Sequence, residues 1–123
     1  MNPERQTRVP LIRIQINLDI EPIRVSQLAS DLTRQASIWL GKPEDYVQII
    51  IESSVHIFFA GTAEPSAFVE VSSLGFSAQT PDEISLALCT WLSTELSIPQ
   101  DRVFIHFFDL PREHWGWNGK TFG

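Results

Sequence analysis

Three features of this sequence could do chemistry: Pro10 near its start, Lys42 just after a glycine, and the stretch from Val103 to Phe122, which carries His106, Trp115, Trp117 and Phe122. The nitrogen of an internal proline is an amide without useful basicity, whereas a proline that ends a chain is a secondary amine. A terminal α-amino group starts near a pKa of about 8, and burial among apolar groups lowers it. Such an amine is neutral and basic at working pH, as general-base catalysis requires. As written, Pro10 follows Val9 and opens a strand, a permitted place for proline. Taken alone, Lys42 is a lysine that bonds carbonyls at a helix end. An imidazole can donate or accept a hydrogen bond, so His106 has a use beyond packing. Trp115, Trp117 and Phe122 can wall off water and accommodate an arene ring, or simply close the core.

These residues must be positioned by a small number of elements, and the sequence repeats them. Pro43-Glu44-Asp45-Tyr46-Val47-Gln48-Ile49 falls on Pro99-Gln100-Asp101-Arg102-Val103-Phe104-Ile105, and at the same offset Leu28, Leu32, Ala36 and Leu40 fall on Ile84, Leu88, Leu92 and Leu96. A constant offset across strand, helix and strand indicates a duplicated unit. Leu11 to Asn17 alternates as a half-buried strand should, and Val25, Leu28, Leu32, Ala36 and Trp39 recur at helical spacing over about residues 22–40. Gly41 suits a left-handed cap and Pro43 stops the helix. Tyr46 to Glu52 reads as the second strand. In the second half, Thr80-Pro81-Asp82-Glu83 is a capping box with proline at the first helical position. The last strand places Val103, Ile105 and Phe107 on one face and Phe104, His106 and Phe108 on the other.

Two strand–helix–strand units predict an α/β fold in which duplicated β-α-β units form a four-stranded mixed sheet with two helices on one face. Segments around His56 to Phe59 and Trp115 are candidate edge strands. A small sheet with bare edges aggregates unless the edges pair with another subunit, which favours an oligomer.

With 123 residues the chain has the size of one domain, and a 43% hydrophobic fraction supplies its core. Nine Lys and Arg against fifteen Asp and Glu give a net charge of -6, which repels phosphate backbones and excludes nucleic acid as a partner. Cys89 is the one cysteine, so no internal disulfide forms and a reducing, cytoplasmic compartment is expected. No Cys/His cluster of metal-ligand spacing is present, so no metal is expected. The start is polar and no apolar run reaches the length of a membrane span, so neither a secretory signal nor a membrane partner is expected.

Gly41-Lys42-Pro43 with Tyr46 four residues after the lysine, Glu64-Pro65, Asp101-Arg102-Val103 and Gly116-Trp117-Asn118 occur in an order and spacing that resemble the macrophage migration inhibitory factor family of the tautomerase superfamily. The resemblance covers Pro10 to Gly123. It implies a tautomerase domain over residues 10–123 and an N-terminal extension over residues 1–9. It also implies that Pro10 is the catalytic base if its nitrogen is free, and that Lys42 binds the substrate. Tyr46, Leu74, Trp115, Trp117 and Phe122 match positions lining the pocket, with Trp115 replacing a smaller aliphatic residue. Phe104 and His106 stand where the family usually carries tyrosine and asparagine, residues that reach into the neighbouring subunit's site.

The implied activity is cofactor-independent keto–enol tautomerisation of a small aromatic 2-oxo acid such as phenylpyruvate, in a homotrimer with sites at subunit interfaces. The alternative is a non-catalytic binding or signalling protein in which residues 1–9 block Pro10. Val9 bears on that choice. GTG encodes valine internally and methionine when it initiates, and translation from Val9 would yield Met-Pro, whose methionine is commonly excised. A second enzymatic rival, dehalogenation or decarboxylation, usually recruits arginines around the proline, and Arg13 is the nearby candidate.

Overall fold

Alternation along β1 (Leu11–Ile16) points Ile12, Ile14 and Ile16 to one side, and all three are fully buried. In the computed structural model, which describes residues 9–123, the chain continues as α1 (Pro22–Leu40), β2 (Gln48–Glu52), β3 (Ala67–Ser73), α2 (Pro81–Leu96) and β4 (Val103–Asp109). A C-terminal hairpin of β5 (Gly116–Trp117) and β6 (Lys120–Thr121) follows. Of the expected extension, residues 1–8 lie outside the described residues.

The sheet order is β2-β1-β3-β4, parallel within each β-α-β unit and antiparallel where β1 meets β3. The duplication extends to details. Each helix ends on a left-handed residue, Gly41 (φ 63) and Ser97 (φ 56), and each is followed by a proline and a 3₁₀ turn, Glu44–Tyr46 and Gln100–Arg102. Both helices lie on the same sheet face. Leu28, Leu32 and Ala36 of α1 and Ile84, Leu88 and Leu92 of α2 share one core with the β1 isoleucines, Val69 and Val71. Trp91 Nε1 donates to Asp31 Oδ2 at 2.8 Å, joining the helices above that core.

The helix starts differ as their sequences require. Thr80 Oγ1 accepts from the Glu83 amide at 3.2 Å, and Glu83 Oε1 accepts from the Thr80 amide at 2.9 Å, completing the expected capping box. Glu21, at the same place in α1, makes no side-chain cap. Among the described residues no helix is long and apolar enough to cross a membrane.

Three local expectations are corrected. The second strand begins at Gln48 rather than Tyr46, because residues 44–46 wind into a 3₁₀ turn closed by the Val47 amide on the Glu44 carbonyl at 3.1 Å. The first strand stops before Asn17, whose amide turns away to hold the following loop. Its Nδ2 reaches the carbonyls of Ala63 and Glu64, and its Oδ1 accepts from the Ser66 amide. The segments near His56 to Phe59 and Trp115 do not join the sheet within one chain. Ala60-Gly61 and Asn118-Gly119 each place two successive residues at positive φ, and such turns fold their flanks back on themselves.

The sheet face away from the helices carries a charged group at its centre. Arg13 on β1 pairs with Glu52 on β2 and with Glu70 on β3, so this arginine is committed across three strands. Its hydrogen bond holds the Glu52 carboxyl below the usual carboxylate range. The folded pKa being the lower one, the contribution of Glu52 to stability is present above the ordinary carboxylate pKa and fades as pH falls through the depressed value. Solvent screens the pair, so the change in stability is small. Replacing Arg13 with Ala is expected to raise the Glu52 pKa toward its ordinary value, read by carbon NMR of the carboxyl group. An unmoved titration would mean that Arg13 does not set it.

Candidate functional site

The proline, the 3₁₀ turn after α1 and the C-terminal hairpin meet at one end of the sheet. Pro10 is fully buried, and its carbonyl accepts from the Gln48 amide at 2.9 Å, which fixes it at the point where β1 and β2 begin to pair. In front of it is a cavity of about 290 Å³ lined by Val9, Pro10, Tyr46, Trp115, Trp117 and Phe122, with Asp45 and Gln48 also contributing. The ring planes are set by each other. Tyr46 meets Trp117 edge-on with centroids 5.8 Å apart, and Trp117 stacks against Phe122 at 6.2 Å with planes 9° apart. The hairpin holds Trp115 and Phe122 together through the Phe122 amide on the Trp115 carbonyl at 3.1 Å.

Lys42 is positioned by the end of α1. Gly41 must be glycine for two reasons: its φ is 63°, and a Cβ there would come within 2.8 Å of the Ala78 Cβ. The turn it makes lets the Lys42 amide donate to the Ser37 carbonyl at 3.1 Å, while the Ser37 hydroxyl donates to the Lys42 carbonyl. The side chain then runs inward, only 6% exposed, with Nζ 3.5 Å from the Leu74 carbonyl. Burial pushes its pKa down from the ordinary lysine value.

Lys42 and Leu74 do not line the cavity itself. They adjoin it through a small cluster, separate from the main core, in which Leu74, Phe122 and Val9 are buried against Leu110 and Trp115. Five expected site residues, Pro10, Tyr46, Trp115, Trp117 and Phe122, are thus brought together directly, and Lys42 and Leu74 flank them.

Phe104 and His106 are not brought to Pro10 within one chain. Phe104 is 65% exposed and packs on Phe59 at 4.8 Å, beside a separate apolar cavity of about 380 Å³ formed with Phe58 and Phe68. His106 is exposed, opposite Glu70 in register, with its ring 4.1 Å from that of Phe108. Arg13 does not line the Pro10 cavity either. Among the described residues no group of three or more His, Cys, Asp or Glu is assembled as a metal site.

Sequence reasoning did not single out Asp45, Gln48 and Val9 as cavity residues, nor Arg102 as the organiser of a loop. Asp45 and Gln48 reach the cavity because Tyr46 sits on a 3₁₀ turn, and a strand reading of that segment hides its neighbours. Val9 is part of the wall although it precedes the fold's first strand. Arg102 donates to the carbonyls of Phe59, Thr62, Glu64 and Pro65, so it shapes the loop that carries Phe58 and Phe59. For Arg102 a signal existed, in the Asp101-Arg102-Val103 motif.

The family model described as macrophage migration inhibitory factor matches residues 9–123. The macrophage migration inhibitory factor of Xenopus tropicalis is 36% identical over 96 residues, covering 77% of this chain and 84% of its own length. That of Xenopus laevis is 32% identical over 115 residues, covering 93% and 99%. Among solved structures, the macrophage migration inhibitory factor homologue from Prochlorococcus marinus superimposes with a TM-score of 0.85 at 39% identity, covering 93% of this chain and all of that one. The factor from Trichinella spiralis gives 0.80 at 32% identity, covering 91% and 99%. Family model, sequence and fold agree, and the chain belongs to the macrophage migration inhibitory factor family, a family of small-molecule-binding oligomers known for tautomerase activity and cytokine-like roles.

Proposed function

We propose that this chain is a keto–enol tautomerase of aromatic 2-oxo acids, of the phenylpyruvate class, whose base is the Pro10 nitrogen when that nitrogen ends the chain. The reading rests on the convergence of Pro10 with Tyr46, Trp115, Trp117 and Phe122 around one cavity, beside a buried lysine. The free amine would take a proton from the carbon next to the ketone and deliver it to the carbonyl oxygen, which becomes the enol hydroxyl, and would carry it back to carbon in the reverse direction. The apolar wall disfavours the charged amine, and the nearby lysine repels it, so both keep the base neutral. Lys42 would hold the carboxylate and the four aromatics the ring. No bound cofactor enters this chemistry.

In this proposal residues 10–123 are the tautomerase domain, residues 1–9 are an extension ahead of it, and the protein works in the cytoplasm as a homotrimer. The test is turnover of phenylpyruvate, followed by enol absorbance, with a chain of verified mass that starts at Pro10. No turnover above background would reject the activity. In that chain Lys42→Ala is expected to raise KM by roughly 10- to 100-fold, the value of a charge-assisted bond, and to change kcat less. Wild-type kinetics would return Lys42 to the role of a helix-end lysine.

A second reading is favoured by one observation. Val9 is joined to Pro10 by an amide and is itself buried in the site. A chain that keeps this linkage would be a non-catalytic binding or signalling protein of the same fold. Intact mass of protein from its native source separates the two, since retention of residues 8 and 9 supports the binder and a mass starting at Pro10 supports the enzyme.

A further inference from the structure

Val9 behaves unlike a residue that merely leads into a strand. It is 5% exposed, although it lies outside every strand and helix. Its φ of 75° is in the left-handed region, which a β-branched residue rarely adopts because Cβ crowds the backbone. A lead-in segment with extended backbone would avoid that strain and leave the side chain in water. Here the chain turns at Val9 instead, and the turn carries the isopropyl group inward. What holds the turn is contact. Val9 is buried with Leu74 and Phe122, with Leu110 and Trp115 packed against them, and it forms part of the cavity wall beside Pro10.

The surroundings are those of a ligand's position rather than of core. This cluster is separate from the main core, and one of its members, Leu74, offers the carbonyl that lies 3.5 Å from Lys42 Nζ. A compact apolar group at Val9 therefore sits next to the proline nitrogen and one residue away from a buried cation. We propose that Val9 occupies a ligand subsite, as an internal competitor for the compact apolar part of a carboxylate ligand. Val9 then blocks the site twice. Its peptide bond makes the Pro10 nitrogen an amide, and its side chain fills space that a ligand would take. The carboxylate half of this inference rests on the proposed role of Lys42, and the apolar half rests on the burial of Val9 alone.

The two kinds of block are separable in the full chain. Val9→Gly removes the side chain and relieves the backbone, since glycine adopts positive φ freely, so the fold is retained. Val9→Ala removes most of the side chain without that relief and serves as a second variant. The probe is 3-phenylpropanoate, an aryl carboxylate with no ketone to enolise, titrated against tryptophan fluorescence and checked by calorimetry. Both variants are expected to bind it at least about tenfold more tightly than the wild-type full chain, while none of the three turns over phenylpyruvate. Equal affinity in wild type and both variants, or no binding by any of them, would overturn the subsite. A chain starting at Pro10 that binds the probe but is inactive would reject the tautomerase and leave the subsite standing. An active Pro10-start chain, with the variants no tighter than wild type, would do the reverse.

Discussion

A chain that starts at Pro10 is expected to tautomerise phenylpyruvate, and the same chain carrying residues 1–9 is expected to stay at background. The two proteins share every strand and helix described above and differ at the reacting atom by one bond. With Val9 attached, the Pro10 nitrogen is an amide whose lone pair is delocalised into a carbonyl, and it cannot accept a proton at any working pH. Released, it is a secondary amine among Tyr46, Trp115, Trp117 and Phe122. A positioned general base is worth about 10²- to 10⁴-fold, so the contrast should be large and not a matter of degree. Enol absorbance on both proteins, with their masses verified, checks this. Turnover well above background in a protein that verifiably retains residues 1–9 would assign the base elsewhere.

The second large effect concerns assembly. Phe104 and His106 lie on β4, an edge strand of the sheet, and neither reaches Pro10 within a chain. Phe104 is nonetheless a large apolar ring, 65% exposed, beside Phe58 at 76% and an open apolar cavity. A surface of that kind needs a cover, and a second copy of this chain supplies one if Phe104 completes the neighbouring site. Sedimentation at micromolar concentration is expected to give a trimer of 14.0 kDa chains. Phe104→Asp should shift it toward monomer and lower the activity of a Pro10-start protein by about 100-fold or more, at the lower end of what a misplaced catalytic site loses. Far-ultraviolet dichroism should hardly change, because Phe104 points away from the helix-covered core. A fully active wild-type monomer would remove the shared site and leave Phe104 and His106 without a role in catalysis.

The fold was legible because its signals are redundant. Isoleucine alternation, helical spacing ended by Gly41 and Pro43, the Thr80 capping box and the repeat itself all point to the same pair of β-α-β units. The lining of the candidate cavity was legible where identity sufficed, as for Pro10, Tyr46 and the C-terminal aromatics. It was not legible where the backbone decides. Nothing in the residue pattern announces that residues 44–46 wind into a 3₁₀ turn, so Asp45 and Gln48 as cavity residues stayed hidden. The inward turn of Val9 was equally out of reach, since positive φ at a valine runs against local preference and is held by tertiary contacts with Leu74 and Phe122. Nor does a sequence say that Asn17 and Arg102 organise the loop between β2 and β3, because their partners are backbone carbonyls, which every residue has.

The central claim is that the Pro10 nitrogen, when free, is the base. Titration of that nitrogen by ¹⁵N NMR, in a ¹⁵N-proline-labelled chain starting at Pro10, tests it most directly. The nitrogen should titrate below the ordinary α-amino value of about 8, and kcat/KM for phenylpyruvate should rise with pH through that same value as the amine loses its proton. A nitrogen that remains protonated across the pH range in which the enzyme is fully active would contradict the claim.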